Sequence, residues 1–396
     1  KTIAASGAVS GAGLGAAYFG YSTVAEPIRV GVIGTGDEGS VLIGALNPAY
    51  VQVVAIADLR EYNVHRAFHG DYSSPAAMAV RPGLMSKYGW KTESEARQHV
   101  KVYTDGYQEL LANKDIQAVM TAVPLHLHAQ VAVDAMLAGK HVLTEARMAR
   151  NATEAHTMLE CSRRHADLVA QIVPSPFGLA EYDFISDLIA AGFLGELREL
   201  VVLGATDMFF DNTKPLHWRQ NQEISGLNTL ALGILHEATL RFVPAPTREF
   251  AQTRICDETR PADVGETASA TVPDSVQIVT ELENGARGMY HLSGICLFGP
   301  GQQIHLFGSQ GTIKLEFAAE TKLWIGQAGD DEMKLAEIPA DKRGGWRAEA
   351  EFVGAIRGEE PVRFTDFETG VKYMEFTEAV HRSAHSGNAV KLPLDQ

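Results

Sequence analysis

A short apolar run, Ile28-Arg-Val-Gly-Val-Ile33, opens directly into Gly34-Thr-Gly36-Asp-Glu-Gly39, and a helical pattern follows. Few stretches limit a fold more tightly. In such a strand–turn–helix the first glycine permits the tight turn, the second lets backbone N–H groups approach a pyrophosphate, and the third lets helix pack on strand. The helix start adds unpaired N–H groups and the positive end of a dipole. A second apolar run, Val51-Gln-Val-Val-Ala-Ile-Ala-Asp58, ends in a carboxylate where the ribose 2′-hydroxyl of NAD should sit. Gly34, Gly36, Gly39 and Asp58 are therefore expected to hold a dinucleotide. Asp37 and Glu38 put negative charge beside the expected pyrophosphate, and Arg60 would suit a 2′-phosphate, which keeps NADP as the lesser alternative to NAD.

With 396 residues the chain is long enough for two cored domains. A net charge of −15 argues against nucleic acid or an anionic membrane surface as the main partner, while leaving small substrates open. Cys161, Cys256 and Cys296 show neither zinc spacing nor a disulfide framework, and read as buried small hydrophobes.

Residues 2–25 carry no charge and are rich in small side chains. They read as an export signal of the twin-arginine type with a cleavage site near Thr23-Val-Ala25, which implies a periplasmic or other extracytoplasmic location. The alternative is a retained membrane anchor, since Gly7, Gly11 and Gly15 form a small-xxx-small stripe.

Residues 60–100 read as a helix, then a polar loop with Pro75 and Pro82, then helical material resuming near Met85. His65 and His69 could share a helical face, but no third ligand accompanies them. Strands are expected at 116–122 and 141–144, with a helix at 129–138 stopped by Gly139. Strand ends in a parallel sheet face the ligand crevice, which places Pro124, His126 and Glu145 along it. A second domain is expected to begin with a helix at 151–165 and a strand at 168–173. Alternating runs at 197–210, 267–272, 275–282, 287–293, 303–307, 312–317 and 322–325 then predict an open, mostly antiparallel sheet. Glu283-Asn-Gly285 marks a hairpin. The fold class is thus an α/β Rossmann domain at 28–150 and an α+β domain at 151–396, with 1–27 as signal or anchor. An open sheet face leaves apolar area that favours a homo-oligomer.

This order of segments resembles the Gfo/Idh/MocA family. The matching pieces are Val30-Gly-Val-Ile-Gly34-Thr-Gly36, Ala57-Asp58, Tyr103-Thr-Asp105, Val123-Pro-Leu-His126-Leu-His128, Gly139-Lys-His-Val-Leu-Thr-Glu145, His217-Trp218-Arg219 and Phe352-Val-Gly-Ala-Ile-Arg-Gly358. The resemblance implies an NAD(P)-dependent oxidoreductase acting on a sugar, cyclitol or related polyol. Some family members are instead redox-neutral NAD-dependent glycosidases.

The resemblance also shows what this chain lacks. Family members typically carry Glu-Lys-Pro where this chain has Glu145-Ala146-Arg147, and an Asp and a His four residues apart on a helix of the second domain. Ala231 stands at roughly that Asp position, and His236 is offset by one residue. His236, with a near-neutral ordinary pKa, is the candidate catalytic base. Arg147 stays protonated and would bind substrate instead of exchanging a proton. Trp218 and Arg219 match the family's substrate-side pair. The losses at Ala146 and Ala231 keep a further alternative open, a catalytically reduced subunit that retains nucleotide binding for assembly.

Overall fold

The computed structural model describes residues 26–262 and 265–395. The expected signal or anchor at 2–25 lies outside the described residues. Among those described, no helix is long and apolar enough to cross a membrane.

The first unit is built on a six-stranded parallel sheet. In chain order its elements are β1 (Ile28–Ile33), α1 (Asp37–Ala45), β2 (Val51–Ala57), α2 (Glu61–His69), α3 (Pro75–Val80), α4 (Gly83–Tyr88), α5 (Glu93–His99), β3 (Lys101–Tyr103), α6 (Gln108–Ala112), β4 (Ala118–Thr121), α7 (His128–Leu137), β5 (His141–Thr144), α8 (Ala152–Arg164) and β6 (Ala170–Ile172). The strand order is β3-β2-β1-β4-β5-β6, all parallel. Such strands are covered on both faces, so β1 and β4 read as near-continuous apolar runs and are buried almost throughout.

Two readings change here. The stretch expected as a loop at 73–83 contains α3, because the Ser74 hydroxyl accepts from the Ala77 N–H and Pro75 occupies the first helical position. The strand expected to open the second domain pairs with β5, through Val142 against Ala170, and closes the parallel sheet instead. Residues 345–370 also return to this unit, and there α12 (Ala348–Arg357) buries Phe352 and Val353 in the core around Val30, Ile56 and Leu143.

The second unit comprises residues 149–152, 175–344 and 371 onward. Its elements are α9 (Tyr182–Ala190), β7 (Leu197–Ala205), α10 (Gln222–Ser225), α11 (Leu232–Thr239), β8 (Pro246–Arg254), β9 (Thr259–Pro261), β10 (Thr267–Ser269), β11 (Ser275–Leu282), β12 (Arg287–Ser293), β13 (Gly301–Gly308), β14 (Gly311–Phe317), β15 (Lys322–Gln327) and β16 (Lys334–Leu335). The body of α13 (Phe367–Ser386) and β17 (Val390–Lys391) follow. The expected run at 267–272 is thus a short strand that, among the described residues, pairs with β9 outside the main sheet. Nine strands form that sheet in the order β16-β15-β14-β13-β7-β12-β11-β8-β17, antiparallel except where β7 meets β12. The predicted hairpin joins β11 to β12, with Gly285 at φ +83°. Burial alternates along both strands, so Val276, Ile278, Tyr290 and Leu292 enter the core. Val279 and Met289, cross-strand partners, are exposed on the other face.

Of the cysteines only Cys161 is buried; Cys256 is exposed and Cys296 intermediate, which corrects the uniform reading of all three. His65 and His69 stack at 4.2 Å, and His69 Nε2 meets Glu93 at 2.8 Å. No group that would hold a metal occurs among the described residues.

Candidate functional site

The glycine loop separates what the fold demands from what it leaves open. Gly34 sits at φ +82°, and a Cβ there would lie 2.5 Å from the Ala122 carbonyl oxygen. A Cβ on Gly39 would strike the Gly34 carbonyl. Both glycines are required by packing. Gly36, the N-cap of α1, is different: a Cβ there would meet nothing nearer than Asn63 Nδ2 at 3.9 Å. The backbone at the helix start is therefore open to a ligand, and no side chain caps it. Its exposed N–H groups and positive dipole end suit a pyrophosphate. Two acids, Asp37 and Glu38, stand in this first turn. Asp37 is neutralised by an ion pair with the buried Arg66; Glu38 remains close enough to Glu145 to act on its charge.

Asp58 follows β2 and faces this loop. Its Oδ2 accepts from the Thr35 backbone N–H at 2.7 Å and the Thr35 hydroxyl at 3.2 Å. The Arg60 N–H reaches Oδ1 at 2.9 Å, and Asn63 Nδ2 lies 3.1 and 3.2 Å from the two oxygens. Asn63 carried no signal in the sequence beyond its place five residues past Asp58.

At the ends of the next strands, Pro124 and His126 are exposed, Pro124 entering a single helical turn at Leu125–Leu127. His128 is buried instead. Its Nδ1 lies 2.8 Å from the Arg147 carbonyl oxygen and its Nε2 2.9 Å from that of Val123, so it ties the two strand-end loops together. Burial outweighs those carbonyls and holds its pKa below the ordinary range.

Glu145 leaves the carboxyl end of β5, its N–H donating to the Thr121 carbonyl at 2.9 Å. The residue is partly exposed, and its Oε2 accepts from the Ala146 N–H at 3.2 Å. Burial, reinforced by the Glu38 charge and opposed by that hydrogen bond, pushes its pKa up to about 8; Glu349 adds a smaller push. Glu349 itself, on α12, receives the Trp346 indole N–H at 2.8 and 3.1 Å and rises to about 7 through burial. Arg147 is buried within the first unit, and the Ala146–Arg147 peptide is cis.

Within the second unit, Trp218 and Arg219 lie on one helical turn, Trp218–Gln220, with the guanidinium 4.2 Å from the indole ring. Trp218 is 40% exposed. His217 precedes them; burial, then the Arg219 charge, lowers its pKa to about 4.

The helix carrying Ala231 and His236 begins later than the sequence implies. Leu230 takes φ +49°, Ala231 is the N-cap, and α11 starts at Leu232. Positions five apart on a helix differ by about 140° in direction, so His236 cannot share a face with Ala231. It points into the core, 1% exposed, stacked on Phe376 at 3.7 Å and sharing a 2.9 Å hydrogen bond with the Tyr290 hydroxyl. Burial drives its pKa down to about 3. This corrects its choice as catalytic base: the imidazole is neutral, packed and out of reach of solvent. Glu237 is equally structural, bound to Arg241 at 2.7 Å and accepting from the Ser175 N–H at 3.1 Å.

With the cradle and the two sheets established, comparison with known proteins settles the family. Residues 28–172 match the oxidoreductase family described as having an NAD-binding Rossmann fold, and residues 182–314 match the GFO/IDH/MocA C-terminal domain. The chain belongs to the Gfo/Idh/MocA oxidoreductase family. Among its relatives, an uncharacterized oxidoreductase of Rhizobium meliloti is 27% identical over 370 residues, 91% of this chain and 98% of that one. The levoglucosan dehydrogenase of Pseudarthrobacter phenanthrenivorans is 24% identical over 260 residues, 61% of this chain and 64% of its own. A solved levoglucosan dehydrogenase in complex with NADH and L-sorbose superposes with a TM-score of 0.74 at 22% identity, covering 93% of this chain and 100% of the other. The Gfo/Idh/MocA assignment makes NAD the cofactor of the first unit, and the residues fit it: two glycines that packing demands, one left open at a helix start, and a carboxylate beside them.

Proposed function

We propose that the chain is an NAD-dependent oxidoreductase acting on a hydroxyl-bearing carbon of a sugar, cyclitol or related polyol. The observation that carries this reading is the cradle at Gly36, open to a pyrophosphate and flanked by Asp58 and Glu145. Sugar-acting relatives, levoglucosan dehydrogenase among them, support the substrate class. When bound, NAD supplies a two-electron acceptor for hydride.

In this reading the chain's own work is to hold that group and to manage one proton. Gly36 and the first turn of α1 receive the phosphates, and Asp58 takes the ribose. Glu145 replaces the missing lysine as the proton-holding group. Oxidation of an alcohol releases a hydride from carbon and a proton from oxygen; the proton passes to the Glu145 carboxylate. In the reverse direction the neutral carboxyl returns it. A pKa near 8 leaves Glu145 mostly protonated at neutral pH, which favours reduction there and oxidation at alkaline pH. Trp218 offers one indole face to a sugar ring while Arg219 lies against the ring. The exposed Val279–Met289 pair supports association of copies through the open sheet face.

Ala146 and Ala231 favour a second reading, a subunit that binds NAD without turnover. One experiment separates the two: denature the purified protein, assay released NAD(H), and follow its redox change in the native protein against a panel of aldoses, cyclitols and anhydrosugars. Cofactor reduced or oxidised by a member of the panel supports the enzyme. Bound cofactor that no sugar changes supports the binding subunit, and absence of cofactor even after incubation with NAD overturns both.

A further inference from the structure

Five short contacts hold the Asp58 carboxylate, and they reach both of its oxygens. Three of them come from the loop itself or from the next turn of chain, through Thr35 and Arg60. The other two come from Asn63, in the first turn of α2, whose amide alone spans both carboxylate oxygens, at 3.1 and 3.2 Å. The same Nδ2 is the nearest atom to the open side of Gly36. One amide thus stands between the ribose carboxylate and the phosphate turn, on an element separate from both.

We propose that Asn63 is a positioning residue for cofactor choice: by bridging both oxygens of Asp58 it fixes the carboxylate across the place of the ribose 2′-oxygen, so that NAD is accepted and NADP refused. The inference rests on NAD as the bound cofactor. A carboxylate held in place accepts a 2′-hydroxyl, whereas a 2′-phosphate brings a charge of about −2 against it and cannot push it aside. Arg60 is exposed, with its backbone N–H spent on Asp58. Once Asp58 is free to rotate, that guanidinium becomes the natural partner for the phosphate.

The test is equilibrium titration of the intact protein with NAD and with NADP, beside Asn63→Ala and Asn63→Asp, each confirmed folded by its thermal transition. Wild-type protein should prefer NAD; a preference for NADP, or binding of neither, would overturn the cofactor reading itself. Asn63→Ala should weaken NAD binding and lower the NAD-to-NADP affinity ratio about tenfold, the scale of one lost charged hydrogen bond. Asn63→Asp is nearly isosteric but places a second carboxyl against the first, so its NAD affinity should recover on acidification, when the new carboxyl protonates and donates. A structural role alone would not produce that pH dependence. A ratio within twofold of wild type, tighter NAD binding in Asn63→Ala, or pH-independent binding in Asn63→Asp would each overturn the proposal.

Discussion

Glu145 and His236 are both strongly perturbed by burial, yet they occupy opposite kinds of place. Glu145 stands at a strand end, partly exposed, pushed up to about 8 by burial and by the neighbouring carboxylates. His236 lies inside a sheet-and-helix core, 1% exposed, pushed down to about 3 by burial alone. Desolvation disfavours the charged form in both. What separates a site from a packing position is therefore access. A shifted pKa by itself marks neither.

That contrast can be broken by substitution. His236→Ala removes a ring stacked on Phe376 and leaves the Tyr290 hydroxyl short of a partner, so denaturant unfolding should show a loss of roughly 3 kcal/mol. NAD affinity of the protein still folded should be unchanged; a large fall would return His236 to the site. Gly36→Ala should behave oppositely. Its Cβ has room within the protein, so stability should stay within about 0.5 kcal/mol. NAD affinity should drop about tenfold, or about 1.4 kcal/mol, because the methyl stands where the phosphates approach. Unchanged affinity would place the pyrophosphate elsewhere.

The smallest effect is in the pH dependence, and its signs differ between the two groups. Between about 4.5 and 8 native Glu145 keeps a proton that the unfolded chain has released, so its contribution to stability falls as pH rises through that window and is level above it. Between 6.5 and about 3 the unfolded chain binds a proton that buried His236 refuses, so that contribution is full above 6.5 and falls as pH drops. Glu145→Gln should therefore flatten the fall in stability between pH 6 and 8 by up to roughly 1 kcal/mol per pH unit. An unchanged slope would show that the carboxyl is ionised at neutral pH, and would remove it as the proton-holding group.

The sequence made the cradle legible because its parts are local: a strand, three glycines and a carboxylate at fixed offsets report on a turn that few residues build. Direction around a helix is less forgiving. Whether His236 faces a cleft or a core depends on where α11 starts, and that is fixed by Leu230 at positive φ, a backbone state its residue type does not announce. Asn63 is illegible in the sequence for a similar reason, since an asparagine in the first turn of a helix is ordinary until Asp58 lies beside it. The three-residue strand at Ala170–Ile172 joins the parallel sheet and not the expected second domain, because an apolar run carries no label for the sheet it joins.

The return of α12 to the first unit has a consequence for how the chain is made. Phe352 and Val353 complete a core whose strands are finished by Ile172, so the nucleotide-binding half leaves the ribosome with one wall missing. Everything that builds the nine-stranded sheet up to β16 is synthesised in between. Vectorial synthesis therefore cannot deliver a finished first domain ahead of the second. A nascent chain arrested after residue 172 would expose the surface that α12 later covers, and would be a substrate for chaperones until residues 345–370 emerge.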